Sequence, residues 1–357
     1  MRIATSLLAC SFGIFAAAQL QAQTNVVSDP VGFYKVTLTA GAGKFIQAPL
    51  HKIQSYRGIV SGTSGNIVNL NGNPSFTANA FNKATIPGGS AQFYQYILIV
   101  RNDASATPGI EGDWWFIESN TTTNITLNPS HGAVSTIGAG DQIEVRKLTS
   151  IADLFGYPTS ILNPDSTGDQ AKETADVIRF VNGTSFGAAV SFYTGGPTGY
   201  LYSGDSSVSD GSAITIGPDQ PIIVFRKAGG GNTNITSLGQ VHIKRLTHYL
   251  VAGGNSIGNP FPVNAPLGPS GLEQSGWQTD TTGNQSKDET DVIRVVNGTS
   301  FGAAISLQAT NVTGFTTNTW YDGSTLSGDI PLTPGAGYIM FRKTGSLTWR
   351  QNVPFTP

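Results

Sequence analysis

Ten short runs along this chain alternate apolar and polar side chains or are rich in β-branched residues, the pattern of strands with one covered face. Alternating or β-branched runs predict strands over 32–38, 67–70, 94–100, 114–118, 124–127, 142–145, 177–181, 222–226, 292–296 and 338–342. Turn dipeptides separate them. Asn71-Gly72, Asn182-Gly183, Asn297-Gly298 and Asp322-Gly323 supply positive φ at low cost. Helical periodicity is scarce. Thr149 or Ser150 is placed to cap a short turn through Ile151 and Leu154, and 272–275 offers a second; both predict connectors.

One stretch occurs twice. Residues 165–191 (DSTGDQAKETADVIRFVNGTSFGAAVS) and 280–306 (DTTGNQSKDETDVIRVVNGTSFGAAIS) agree at nineteen of twenty-seven positions, at an offset of 115. Each leads to a second matched block, GPDQPIIVFRKAG at 217–229 and TPGAGYIMFRKTG at 333–345. A repeat of this size predicts two copies of one folding unit, each of ordinary domain size, about 100 residues. It argues against a single catalytic constellation, because most distinctive residues come in pairs. A shorter match links 43–50 with 254–261 through the pattern Gly-x-x-Ile-x-x-Pro. In the second copy this segment lies shortly before the repeat core; in the first, about 115 residues intervene.

An insertion explains the gap most simply. The expected fold is all-β: two duplicated β-sandwich-like modules plus one additional small β-barrel or β-sandwich domain carried within the first. Module one then takes 23–50 plus 148–243, the inserted domain 51–147, and module two 244–357, after a signal peptide at 1–22. Three β domains in series is the alternative.

Composition narrows the function classes. Met1-Arg2 is a short positive region, residues 3–18 are an apolar run rich in small residues, and Leu20-Gln21-Ala22 sets a small residue at a cleavage site. The mature chain is expected to start at Gln23 and to be exported, either extracellular or associated with the cell surface or outer membrane. The only cysteine, Cys10, lies in this leader; Leu7-Leu8-Ala9-Cys10 loosely resembles a lipobox, which is the anchored alternative. Beyond the leader neither disulfides nor thiol catalysis is open. No later segment is apolar enough to predict a membrane span. Charged residues make up 12 % of the chain and the net charge is −2, so there is no basic face for nucleic acid or anionic membrane.

The segments PVGFYKVTLTAGAGKFIQAPL, RGIVSGTSGNIVNL, GDQIEVRKLTSIADLFG and PGAGYIMFRKTG resemble a family of secreted β-repeat proteins from Verrucomicrobia and related bacteria. NSIGNPFP is similar to strand motifs of large bacterial surface proteins. The resemblance spans most of the mature chain and implies export and a β fold. It carries over no activity, ligand or functional residue, since its motifs are strand and turn patterns.

Candidate chemistry is sparse. Gly254-Asn255-Ser256-Ile257-Gly258 spells Gly-x-Ser-x-Gly, but Asn259-Pro260-Phe261-Pro262 follows, and two prolines forbid the helix of a nucleophile elbow. It reads as a core strand. Histidines 51, 131, 242 and 248 are too few and scattered for a zinc site, and His242 and His248 read as two surface residues on one strand face. The repeated acidic loop holds Asp165, Asp169, Glu173 and Asp176 in one copy, and Asp280, Asn284, Asp288, Glu289 and Asp291 in the other. Clustered carboxylates could offer calcium its oxygens, with Asp165, Asp169, Asp280 and Asp288 as candidate ligands. The internal Lys172 and Lys287 point instead to ion pairing in a solvated turn. A glycosidase pair drawn from these acids would require two active sites.

Aromatics give the remaining candidates. Trp114-Trp115-Phe116 are consecutive, so Trp114 and Phe116 share one strand face and Trp115 takes the other. One tryptophan is thus expected at the surface or at a domain contact. Trp320 and Tyr321 sit beside the Asp322-Gly323 turn. These four are the ligand-binding candidates, through stacking plus nearby polar groups, against packing between β layers. Phe186, Phe301, Phe225 and Phe341 are duplicated and predict core. The sequence reads as a non-enzymatic, exported structural or interaction protein of the cell surface or extracellular matrix, without a cofactor. Partners would be polysaccharide or other cell-surface proteins. A glycan-binding protein is the alternative, and a polysaccharide hydrolase the third reading.

Overall fold

The period-two pattern folds as strands: the chain is all-β, 48 % strand with one short α-helix among the described residues. The computed structural model describes residues 30–48, 50–87, 89–104, 109–183, 185–195, 199–204, 210–218, 220–297, 300–309, 319–323 and 325–355. The expected leader, with Cys10 and the junction after Ala22, lies outside them, as does Gly298 of the second repeat turn.

Two strands come first, β1 (Val31–Leu38) and β2 (Gly43–Ile46). Six follow: β3 (Gln54–Ser64), β4 (Ile67–Leu70), β5 (Tyr96–Asn102), β6 (Trp114–Asn120), β7 (Asn124–Leu127) and β8 (Gln142–Lys147). They close into an antiparallel barrel in the order β7-β4-β3-β8-β5-β6. Closure removes the open edges that a six-stranded sheet would otherwise show. Val60, Val68, Leu98, Trp115, Ile117 and Ile143 fill the inside. The outer face of β5 and β6 is also covered: Ile97, Ile99, Trp114 and Phe116 pack with Leu148 and Leu246. A strand buried on both sides needs a continuous apolar run, which Trp114-Trp115-Phe116-Ile117 supplies.

The chain leaves the barrel into α1 (Ile151–Phe155), capped as its sequence predicts. The Ser150 hydroxyl accepts from the Asp153 N–H, and the Asp153 carboxylate accepts from the Ser150 N–H at 2.8 Å. Ser150→Ala is expected to cost about 1 kcal/mol in chemical denaturation. An unmoved midpoint would count against the cap.

Five strands then follow: β9 (Val177–Asn182), β10 (Ser185–Tyr193), β11 (Gly199–Tyr202), β12 (Ile222–Phe225) and β13 (Thr233–Val241). The last eight are β14 (Leu246–Leu250), β15 (Gly253–Gly258), β16 (Val292–Asn297), β17 (Ser300–Leu307), β18 (Trp320–Asp322), β19 (Thr325–Gly328), β20 (Gly337–Arg342) and β21 (Leu347–Gln351). One sheet path runs β11-β10-β9-β12-β2 and another β19-β18-β17-β16-β20-β15. They join where Lys44 of β2 pairs with Asn297 of β16. β13 pairs with β1 and with Leu50–His51, and β14 pairs with β21.

Five strands of each path correspond in order; among the described residues β19, paired with β18, has no counterpart in the first. β2 lies beside β12 with Phe45 opposite Ile223, and β15 lies beside β20 with Ser256 opposite Ile339. Both hairpins shift register at the same place, between Arg179 and Val181 and between Arg294 and Val296. Side chains alternate as expected. Ile178 and Phe180 face one core and Ile293 and Val295 the other, while Val181 and Val296 turn to a shared seam. The first hairpin turn sits one residue later than the sequence suggests. Asn182 pairs with Ser185, and Gly183 takes the first turn position with φ 61°. A Cβ there would be strained and would lie 2.8 Å from the Gly254 carbonyl oxygen.

Candidate functional site

The sequence-predicted aromatic platform is not at the surface. Trp114, Trp115, Trp320 and Tyr321 are only 0, 1, 2 and 4 % exposed, so none offers a ring face to a ligand. Each indole N–H has an internal acceptor: Trp114 donates to the Thr247 carbonyl, Trp115 to that of Gly132 and Trp320 to Glu273 Oε1. The reason is the double-sided burial of β6, and the apolar core under β18 that Trp320 helps fill. The reverse correction applies to Phe186 and Phe301. Both are 46 % exposed and stand edge-on to Phe225 and Phe341, in matching positions on the two sheets.

The acidic loops are turned inward. Asp165 is fully buried and accepts from the N–H groups of Thr167, Gly168 and Gln170 and from the Ser191 hydroxyl. Asp280 repeats this with Thr282, Gly283 and Gln285, and takes Gln308 Nε2 as a further donor. Burial opposes ionisation of both carboxyls, but these donors outweigh it and hold them below the usual carboxylate range. N–H groups thus occupy the oxygens that a calcium ion would need. Asp169 accepts from the Ala171 N–H, and Asp288 pairs with Lys287 in solvent. Among the described residues no three His, Cys, Asp or Glu side chains converge as metal ligands.

The histidines are buried rather than superficial. His242 lies beyond β13 and His248 within β14, so they do not share a strand. His248 stacks on Trp349 at 4.7 Å and meets Gln351 Oε1 through Nε2 at 2.9 Å. His242 meets the Arg245 carbonyl at 2.9 Å and stands 4.9 Å from the His51 ring. Burial drives the pKa of both His242 and His248 down to about 4. Ser256 of the Gly-x-Ser-x-Gly segment lies in β15 and donates to the Val181 carbonyl, with neither a helix after it nor a histidine beside it.

One cleft, of about 360 Å³, stands out instead, within the size range of small-ligand sites. Two other crevices, about 10 and 20 Å³, have room for little more than a water. Phe93 and Tyr94, before β5, and Phe116 of the barrel strand β6 line the cleft. Phe180 and Val181 of β9, Thr215, Gln220 and the exposed Gln92 complete the lining.

The lining is held in place. Tyr94 stacks on Phe116 with ring centres 4.5 Å apart, and its hydroxyl donates to Glu118 at 2.8 Å. Burial, then Glu118, pushes the Tyr94 phenol up to about 12, so it stays neutral. Glu118 is matched by Lys83 at 2.5 Å. The Thr215 hydroxyl donates to the Tyr94 carbonyl, which ties their segments together. Buried Gln47 donates to the Gly217 and Pro218 carbonyls, and Gln220 Oε1 accepts from the Gly217 N–H. Four aromatic rings, two carboxamides and a hydroxyl line the cleft, and none of the lining groups carries a charge at neutral pH.

Sequence reasoning missed this site, although a signal was present. Over 177–189 and 292–304 the two copies differ at one position alone, Phe180 against Val295. In the second matched block Gln220 stands against Ala336. Phe116 belongs to the barrel, and Phe93 and Tyr94 to the segment that leads into it, Phe93 pairing with Ala84 outside the barrel. The cleft thus draws on residues that the second copy lacks. No family model, no curated protein and no solved structure matches this chain.

Proposed function

We propose that this chain is a non-enzymatic interaction protein of the cell exterior, whose contact chemistry is concentrated in the cleft beside the barrel. The observation that carries this reading is the uncharged lining of stacking rings and amides, in a molecule whose buried acids and histidines are committed to internal contacts. In this reading residues 51–147 are a barrel carried within the first of two alike β units, 23–50 plus 148–243 and 244–357. The carried barrel supplies Phe116 to the cleft of the first unit. Export rests on the leader-like start and on the resemblance to secreted β-repeat proteins. The hydrolase reading has no free carboxylate pair in the cleft to support it.

Cell fractionation of the native host, followed by N-terminal sequencing, tests the reading. The chain is expected in the medium or on the outer surface, beginning at or near Gln23. A cytoplasmic chain that still begins at Met1 would sink it.

A further inference from the structure

We infer that the cleft between the barrel and β9 binds a neutral sugar unit of a polysaccharide. This rests on the interaction reading above and names its ligand. The argument starts from charge. The nearest ionised groups, Glu118 and Lys83, satisfy each other, so a charged ligand would enter without a partner and lose its hydration. A purely apolar ligand would leave the Gln92 and Gln220 carboxamides facing it unmatched.

A pyranose ring answers both conditions. Its C–H face is apolar and packs on an aromatic ring, while its hydroxyls point outward from the ring edge. Phe93 and Phe180, both half-buried at the edge of the first core, supply the ring surface. Gln220 has its Oε1 fixed by the Gly217 N–H, which leaves its NH₂ as a donor of set orientation. A preset donor costs less entropy on binding than a free side chain. The cleft holds about 360 Å³ and opens to solvent, which leaves a way out for the chain that carries the bound unit.

The repeat supplies its own control. Phe180→Val and Gln220→Ala write the second copy's residues, those of Val295 and Ala336, into the first. Phe180 also packs on the first core, so the double variant is expected to fold but melt below the wild type. Binding is read only at a temperature where circular dichroism shows both folded. Affinity electrophoresis of the purified full chain, in gels containing laminarin, xylan, dextran or hydroxyethyl cellulose, measures the binding. Alginate serves as the anionic comparison. The wild type is expected to be retarded by at least one neutral polysaccharide and not by alginate. F180V/Q220A is expected to bind about tenfold more weakly, having lost a stacking ring and a carboxamide. Phe301→Ala, on the other sheet, should bind as the wild type. No retardation in any neutral gel, equal retardation by alginate, or full binding by the double variant overturns the assignment. An exported chain that ignores every polysaccharide defeats the ligand and spares the interaction reading; a cytoplasmic chain defeats that reading itself.

Discussion

Acidification from pH 7 to about 4.5 is expected to remove most of the protein's stability, well before its carboxylates protonate. His242 and His248 are almost wholly buried, and burial holds their pKa at about 4 against an ordinary 6.5. His131, stacked on Tyr249, is driven to about 4 for the same reason, and His51 moves in the same direction through burial, then His242 and two arginines. The sign follows from proton counting. Between pH 6.5 and 4 the unfolded chain binds protons at these imidazoles and the folded chain does not. Stability is therefore full above pH 6.5 and falls as the pH drops toward 4. Each tenfold loss of proton affinity on folding is worth about 1.4 kcal/mol, so His242 and His248 contribute roughly 3 kcal/mol apiece. With His131 the loss approaches the whole net stability of an ordinary domain, about 5–15 kcal/mol. The depressed carboxyls of Asp165 and Asp280 add a further loss below the ordinary aspartate value, near 3.9. Urea unfolding followed by tryptophan fluorescence at pH 7.5, 6, 5 and 4.5 measures this. A stability that stays level from pH 7 to 5 is incompatible with neutral buried histidines.

Removing either of two matched aspartates should be nearly as damaging. Asp176 is fully buried and accepts from the Asn163 N–H at 2.6 Å, the Lys227 N–H at 2.7 Å and the Arg226 guanidinium. Asp291 does the same with the N–H groups of Gln278 and Lys343 and with Arg342. Each aspartate thus joins the segment entering its hairpin to the end of the strand beside it. Asp176→Ala strands a buried guanidinium and two amides, a loss of about 3–5 kcal/mol. Asp291→Ala is expected to lose a similar amount. The double change D176A/R226M should recover part of it, since the unpaired charge goes too. Guanidinium denaturation decides the matter. A loss under about 1 kcal/mol in one variant and several in the other would show that the two hairpins are not held alike.

Strands were legible because alternation is written residue by residue. The runs at 67–70 and 124–127 end where the strands do, and Thr149 or Ser150 ahead of Ile151 and Leu154 announced the one helix among the described residues, capped by Ser150. β3, rich in glycine, serine and threonine, was not legible, because its pairing in the barrel supplies what its own side chains lack. The binding candidates failed for a different reason. A period shows which residues share a face and not what covers that face. Trp114 looked available until the segment carrying Leu246 and Thr247 packed over it. The same blindness hid the histidines, whose burial depends on segments remote in sequence. The cleft was written in the sequence only as a difference, Phe180 against Val295, inside a stretch that attracts attention for its sameness.

The seam between the sheets has a consequence for solitary behaviour. Two such similar halves offer neighbouring molecules a like-with-like pairing, first half on first half or second on second. Phe45 forestalls this. Its ring occupies the space over Gly337, where a Cβ would collide with it. The residues matching this pair in the other half are Ser256 and Pro221. Two first halves brought together would press Phe45 on Pro221, and two second halves would leave a hole between Ser256 and Gly337. Only unlike halves fit, and the unlike half nearest to hand is always the one on the same chain.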